Sequence, residues 1–284
     1  MLLKPSGYLP LSIAVLLLIL PLILEALQPY LLHATILLLL FAMLAVAWNI
    51  LGGYCGQISL GHSVFFGIGS YTTIMLLLAM NMSPWLGLII GVIFSVLASI
   101  LLGYPTFRLR GPYFSLATLA MGEIMRRVFL YFRGHTGGAI GLIVPFLRTD
   151  SLLYFQFLTK TPYYYIALVF LATAIYTTRR IEESKLGYYL KAIREDEDAA
   201  EAMGIDVTKY KLKAIMISAL FTSIGGSFYV QFIRFLDPES AFSLEFSIDI
   251  AIMAIIGGMG TVWGPVLGAA LLTPIIAVSY THLR

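Results

Sequence analysis

The sequence predicts an all-α, polytopic bundle of transmembrane helices, and three observations predict it. Hydrophobic residues make up 60% of the 284 positions, charged residues only 12%, and mean hydropathy is +0.91. Soluble domains run nearer about 45–50% apolar and about 25% charged, and one water-soluble core of this length could not hide the excess. The apolar residues also gather into runs of membrane-crossing length. Leu, Ile, Ala and Met dominate these runs, which are too long and uniform for barrel strands. In lipid they must be helical, because only a helix satisfies its own backbone amides.

The runs fall at Pro10–Leu27, Leu31–Leu51, Ser63–Met80, Trp85–Tyr104, Tyr113–Phe132, Pro162–Thr178, Leu212–Leu236, Phe246–Met259 and Pro265–Tyr280. Each span needs roughly 20 residues to cross ~30 Å of hydrocarbon, so the length allows about eight to ten. One membrane domain over residues 1–284 is the simplest count. The first run follows Lys4 and resembles a signal peptide. It is long for one, and Glu25-Ala26-Leu27 is a poor cleavage site, so it reads as an uncleaved first span.

Residues 179–213 form the one large hydrophilic loop, with eight of the 18 basic and eight of the 15 acidic residues. The excess of Lys and Arg places it in the cytoplasm, and counting spans puts Lys4, Arg108 and Arg110 on that side too. Arg126, Arg127 and Arg133 then fall near the outer end of the fifth run, where they tilt the run or face the bundle interior. Gly134–Thr161 reads as an external connection, broken by Gly137-Gly138 and Pro145.

Two apolar segments are interrupted by glycine: Gly52–Gly69, and Gly257–Gly268 with Gly258, Gly260, Gly264 and Pro265. Paired interruptions point to a substrate path in transporters. Glycine also recurs wherever membrane helices pack closely. The first interruption carries Gln57, Ser59, Gly61, His62 and Ser63 at an expected membrane depth. Its polar groups either bond to neighbouring helices or line a wet path, since burying them unpaired costs a few kcal/mol each.

A third segment, Arg194-Glu195-Asp196-Glu197-Asp198-Ala199-Ala200-Glu201-Ala202-Met203-Gly204, has the parts of a short capped helix. Asp198 is the expected N-cap, with Glu201 three residues on as in a capping box, and Gly204 the left-handed end. Its small body suits docking into a partner's groove, and equally suits a solvated linker. Among lone ionisable residues, Glu123 has Arg126 or Arg127 at helical spacing, and Asp249 is expected to cap a helix start.

Other classes find no support. A net charge of +3 without a basic tract gives no nucleic-acid footprint. Cys55 is the only cysteine, so no intrachain disulfide forms. His33, His62, His135 and His282 lack metal-ligand spacing. There is no Gly-Lys dipeptide for a P-loop, no zinc-protease motif, no nucleophile elbow, no voltage-sensor helix and no potassium filter. The chain is expected to be no enzyme and to hold no cofactor. If ATP drives transport, another subunit hydrolyses it.

The stretch Gly53-Tyr54-Cys55-Gly56-Gln57-Ile58-Ser59-Leu60-Gly61-His62-Ser63-Val64-Phe65-Phe66-Gly67 resembles the early signature of bacterial branched-chain amino acid ABC-transporter permeases of the LivM type. Arg108–Tyr113 with Thr118–Ile124, Thr136–Leu142, Arg194–Gly204 and Gly257–Pro265 resemble further blocks in the same order, covering nearly all of the chain from about residue 35. The resemblance implies a multi-pass permease in the bacterial inner membrane. It implies two ABC ATPase subunits, a second, related permease and a periplasmic or lipid-anchored substrate-binding protein, all around membrane lipid. It also implies that residues 179–213 are the coupling loop, in which Arg194, Asp198, Ala199, Ala200, Glu201 and Gly204 dock the ATPase. Gln57, Ser59, Gly61, His62, Gly257 and Gly258 would lie near the translocation path. The family usually continues beyond a point such as Arg284, so the ending reads as truncated. The same machine importing urea, short amides or other amino acids is a near alternative. An ion-coupled secondary transporter working through Glu123 or Asp249, or a channel, is a distant one.

Overall fold

The computed structural model describes residues 17–25, 28–146 and 150–282. Residues 17–25 are helical, and the start of the expected first span, with Lys4, lies outside the described residues. Each later apolar run forms a helix: α1 (Pro29–Gly52), α2 (His62–Met80), α3 (Pro84–Thr106), α4 (Pro112–Tyr131), α6 (Thr161–Glu182), α9 (Val207–Ile233), α11 (Leu244–Gly258) and α12 (Gly264–His282). Short elements join them: α5 (Arg133–Thr136), α7 (Lys185–Glu195), α8 (Glu197–Ala202), α10 (Pro238–Ala241), and the strands β1 (Leu142–Ile143) and β2 (Phe235–Leu236), paired antiparallel. Among the described residues, five helices are long and apolar enough to cross a membrane. The expectation of an all-α polytopic membrane protein is met.

Local chemistry sets the boundaries. Proline occupies the first turn of α1, α3, α4 and α6, where its missing N–H has no partner to lose. Side-chain caps begin α9, where Asp206 accepts from the Lys209 N–H at 2.9 Å, and α11, where the Ser243 hydroxyl accepts from the Phe246 N–H at 3.0 Å. Ser243, not Asp249, is thus the cap; Asp249 lies in the second turn of α11 and lines a cavity.

The bundle packs around α9, which lies against α1, α2 and α3. On α3 the buried face is Gly87, Gly91, Ser95, Ser99 and Gly103, one residue every fourth position. That small-residue ridge lets α3 sit close to its neighbours, while Leu86, Ile93, Leu97 and Leu101 point outward as a lipid-facing surface would.

The contacts sort the helix ends into two groups. Arg110, after α3, pairs with Asp198, and Arg194 reaches the Gly53 carbonyl after α1. These junctions, with the turn between α11 and α12, share one end with α7 and α8. At the far end Arg126 pairs with Glu239, β1 pairs with β2, and the Thr161 hydroxyl donates to Glu25. Arg108 and Arg110 therefore lie on the loop side, as expected. Two of the three outer arginines are paired: Glu123 accepts from Arg126 at 2.8 Å and from Arg127 at 2.7 Å.

Candidate functional site at the loop end

Both glycine-interrupted segments converge at the loop end, and Asn49 joins them. It is the lone amide in the apolar α1, fully buried near the helix end. Its Nδ2 donates to the Thr261 carbonyl at 2.9 Å, and its Oδ1 accepts the Gly260 N–H at 2.7 Å. The α11–α12 turn is thereby fastened to the end of α1. Gly53 allows this approach. A Cβ there would lie 1.8 Å from Asn49 Oδ1 and 2.4 Å from the Gly260 nitrogen.

The first interruption is anchored along its length. Trp48 Nε1 donates to the Ser59 carbonyl at 2.8 Å, and the Ser115 hydroxyl of α4 to the Ile58 carbonyl at 2.6 Å. His62 and Ser59 are buried and bonded to neighbours: His62 Nε2 is 2.7 Å from Ser218 Oγ on α9, and Nδ1 is 3.2 Å from Ser59 Oγ. The Ser218 hydroxyl also reaches the Ala47 carbonyl at 2.7 Å. Of the two readings of these polar groups, the structure has the bonded one for His62 and Ser59.

Gln57 is not at mid-membrane depth but at the rim. Its Nε2 donates to Glu197 Oε1 at 2.9 Å, on α8. The same oxygen accepts from Lys211 Nζ at 2.6 Å. The Lys211 side chain is 1% exposed and that of Glu197 is 23% exposed. This buried ion pair ties α8 to the second turn of α9, and Gln57 extends the tie to the α1–α2 junction. Nearby, Arg194 Nη1 donates to the Gly53 carbonyl at 2.9 Å, and a Cβ on Gly260 would lie 2.5 Å from that same Nη1. Cys55 is buried in this junction, and burial pushes its thiol up to about 12.

The cap of α8 is Asp196, not Asp198. The Asp196 carboxylate accepts from the Asp198 and Ala199 N–H groups at 2.9 and 3.0 Å. Asp198 turns away to Arg110, 2.7 Å distant, and its hydrogen bond and then its charge raise the guanidinium pKa. Glu201 closes no capping box among the described residues. Gly204 does end the helix left-handed, with φ +83; its N–H reaches the Glu201 carbonyl at 2.9 Å, and the Ile205 N–H reaches that of Ala200 at 3.1 Å.

The six residues expected to dock therefore split. Arg194 and Ala200 face the bundle, with Ala200 buried. Ala199, Glu201 and Gly204 are exposed beside Ala202 and Met203, and Asp198 is exposed on the rim. Gly257 and Gly258 sit where α11 packs against the start of α12. Sequence reasoning missed Asn49, Lys211, Ser218 and the bridging role of Glu197. The signal was present for Asn49 and Ser218, as solitary polar residues in apolar runs must find partners.

A helical membrane bundle whose broken, glycine-rich segments are hydrogen-bonded to a short helix on its hydrophilic loop defines a polytopic membrane protein. Comparison with known proteins makes the class particular. The chain belongs to the family of branched-chain amino acid transport system permease components, whose model matches residues 30–281. It is 31% identical over 257 residues to the high-affinity branched-chain amino acid transport system permease protein LivM of Escherichia coli K12, across 83% of this chain and 60% of that protein. It is 26% identical over 250 residues to the nucleoside ABC transporter permease protein NupC of Lactococcus lactis, across 80% and 73%. It is 24% identical over 256 residues to LivH of Salmonella typhimurium, across 86% and 82%. The chain thus spans about 60% of the LivM relative's length. No solved structure matches. The resemblance drawn from the five sequence blocks is borne out at the level of the family.

Proposed function

We propose that this chain is the permease subunit of an ATP-driven importer of branched-chain amino acids in the bacterial inner membrane. ATP is hydrolysed on two separate ATPase subunits, a second, related permease completes the pore, and a periplasmic or lipid-anchored protein delivers substrate. One observation carries the reading: α8 is held from beneath by Ala200 and the Glu197–Lys211 pair while Ala199, Ala202 and Met203 face outward, Met203 with 73% exposure. A solvated linker helix needs no such anchoring. A helix that is pushed by a partner does, because a six-residue helix does not hold itself together. Movement of α8 passes through Glu197 to Gln57 and Lys211. Movement of α7 passes through Arg194 to Gly53, and Asn49 carries it on to the α11–α12 turn.

The secondary-transporter reading meets a contrary observation at Glu123, one of its two residues. Proton-coupled transport through Glu123 would need a carboxylate free to cycle, and Glu123 is held by two arginines. Substrate is less constrained: similarity to a nucleoside permease adds nucleosides to urea, short amides and other amino acids as alternatives. The test is uptake of radiolabelled leucine into vesicles carrying this chain with its neighbouring gene products, with and without ATP. Uptake that needs ATP and that isoleucine competes for is expected. Glu201→Lys and Gly204→Trp are expected to leave assembly intact and uncouple hydrolysis from uptake. Uptake indifferent to ATP would overturn the reading.

A further inference from the structure

At the far end, α1, α2, α9, α11 and α12 surround a half-open cavity of about 550 Å³. Four carboxylates line it, from Asp237, Glu239, Glu245 and Asp249, and no basic residue does. Two are already engaged. Asp237 accepts from the Ser240 N–H at 3.3 Å as the cap of α10, and Glu239 pairs with Arg126. Glu245 and Asp249 are left, with no hydrogen bond or ion pair among the described residues. They stand four apart on α11, hence on one face, where like charges destabilise a helix unless a cation lies between or beside them.

A second observation points the same way. Thr273 of α12 lines this cavity, is 8% exposed, and its buried hydroxyl has no partner among the described residues. Such a group is left unsatisfied only at a cost, which a ligand removes. Three aromatic side chains also line the cavity: the Phe66 and Phe246 rings lie 4.2 Å apart, and Phe41 and Phe246 6.0 Å apart. Aromatic faces also attract cations.

We propose that this cavity is a binding site for an alkylammonium group, with Glu245 and Asp249 holding the ammonium, Thr273 completing its hydrogen bonds, and Phe41, Phe66 and Phe246 taking the attached apolar chain. The proposal rests on the importer reading only in naming leucine-like amino acids as the physiological occupants.

The test measures occupancy directly. The purified transporter complex is treated with a diazo reagent, which esterifies carboxyl groups without activating them toward amines, and modification of Glu245 and Asp249 is read by mass spectrometry with isoamylamine, leucine or the α-hydroxy analogue of leucine present. The expected result is several-fold protection by the amine and by leucine, and none by the hydroxy acid. Unchanged labelling with the amine, or equal protection by the hydroxy acid, overturns the site. As a second measure, Glu245→Gln with Asp249→Asn is expected to raise the KM for leucine uptake about tenfold, or ~1.4 kcal/mol of binding; an unchanged KM overturns the site. Protection without ATP-dependent leucine uptake would keep the site and discard the importer reading. Uptake without protection would do the reverse.

Discussion

At the loop end every charge that enters the bundle is met. Lys211 finds Glu197, Glu197 also takes Gln57, and Arg194 finds the Gly53 carbonyl. At the far end, Glu245 and Asp249 face a half-open cavity with no hydrogen-bond or ion-pair partner among the described residues. The contrast separates two kinds of work. A part that must move as one body needs ties among its pieces, and the loop end has spent its donors and acceptors on ties. A part that must take up and release a ligand needs groups left unspent. Stability should therefore be concentrated at the junction, and sensitivity to ligand at the cavity.

The largest expected effect breaks the junction. Glu197→Ala leaves Lys211 buried and unpaired, which costs about 3–5 kcal/mol. A markedly lower thermal unfolding midpoint of the detergent-solubilised protein is the readout. The double variant Glu197→Leu with Lys211→Met removes both charges and is expected to recover most of the loss, since a buried pair is often matched by apolar residues of similar volume. A small effect from Glu197→Ala would mean that the clamp is not closed, and the comparison between the two ends would lose its basis.

Two intermediate effects sharpen the same contrast. Ser218→Ala removes the hydrogen-bond partner of His62 Nε2 in a fully buried site, for about 1–3 kcal/mol. Gly53→Ala drives a methyl into Asn49 and the Gly260 backbone, with a similar cost of about 1–3 kcal/mol from overpacking. Both should lower the unfolding midpoint. Gly53→Ala alone should also expose Cys55 to a water-soluble maleimide, because it loosens the junction in which that thiol is buried. Equal, slow labelling of the variant and the parent chain would show that the fastening at Asn49 survives the intrusion.

How much of this was legible in the sequence follows the range of the interactions. Each apolar run from Leu31 onward forms a helix because lipid permits little else, and composition reports it directly. Glu123 with Arg126 and Arg127 was readable because helical spacing fixes those contacts. The glycine breaks were visible, but not their place at the rim. That depends on Asn49 reaching Gly260, over 200 positions away, for which no local signal exists. The α8 cap shows the same limit. Four consecutive acids, Glu195 to Asp198, can each serve, and the choice is made by Arg110, which draws Asp198 off the helix end from 88 positions away. Lys211 was read as one more charge of a hydrophilic loop. Only the fold turns it inward onto Glu197.

The smallest expected effect lies on the rim of the junction. Arg110 and Asp198 are close, but their side chains are 63% and 71% exposed. Water and salt screen such a pair, and holding two long side chains in place offsets the attraction. Arg110→Ala is therefore expected to leave the unfolding midpoint of the isolated chain unchanged, at low and at high salt alike. A clear fall would move the clamp from the buried Glu197–Lys211 pair outward to the rim. In that case α8 would be held by its exposed edge, and the face offered to a partner would have to be the one now assigned to the bundle.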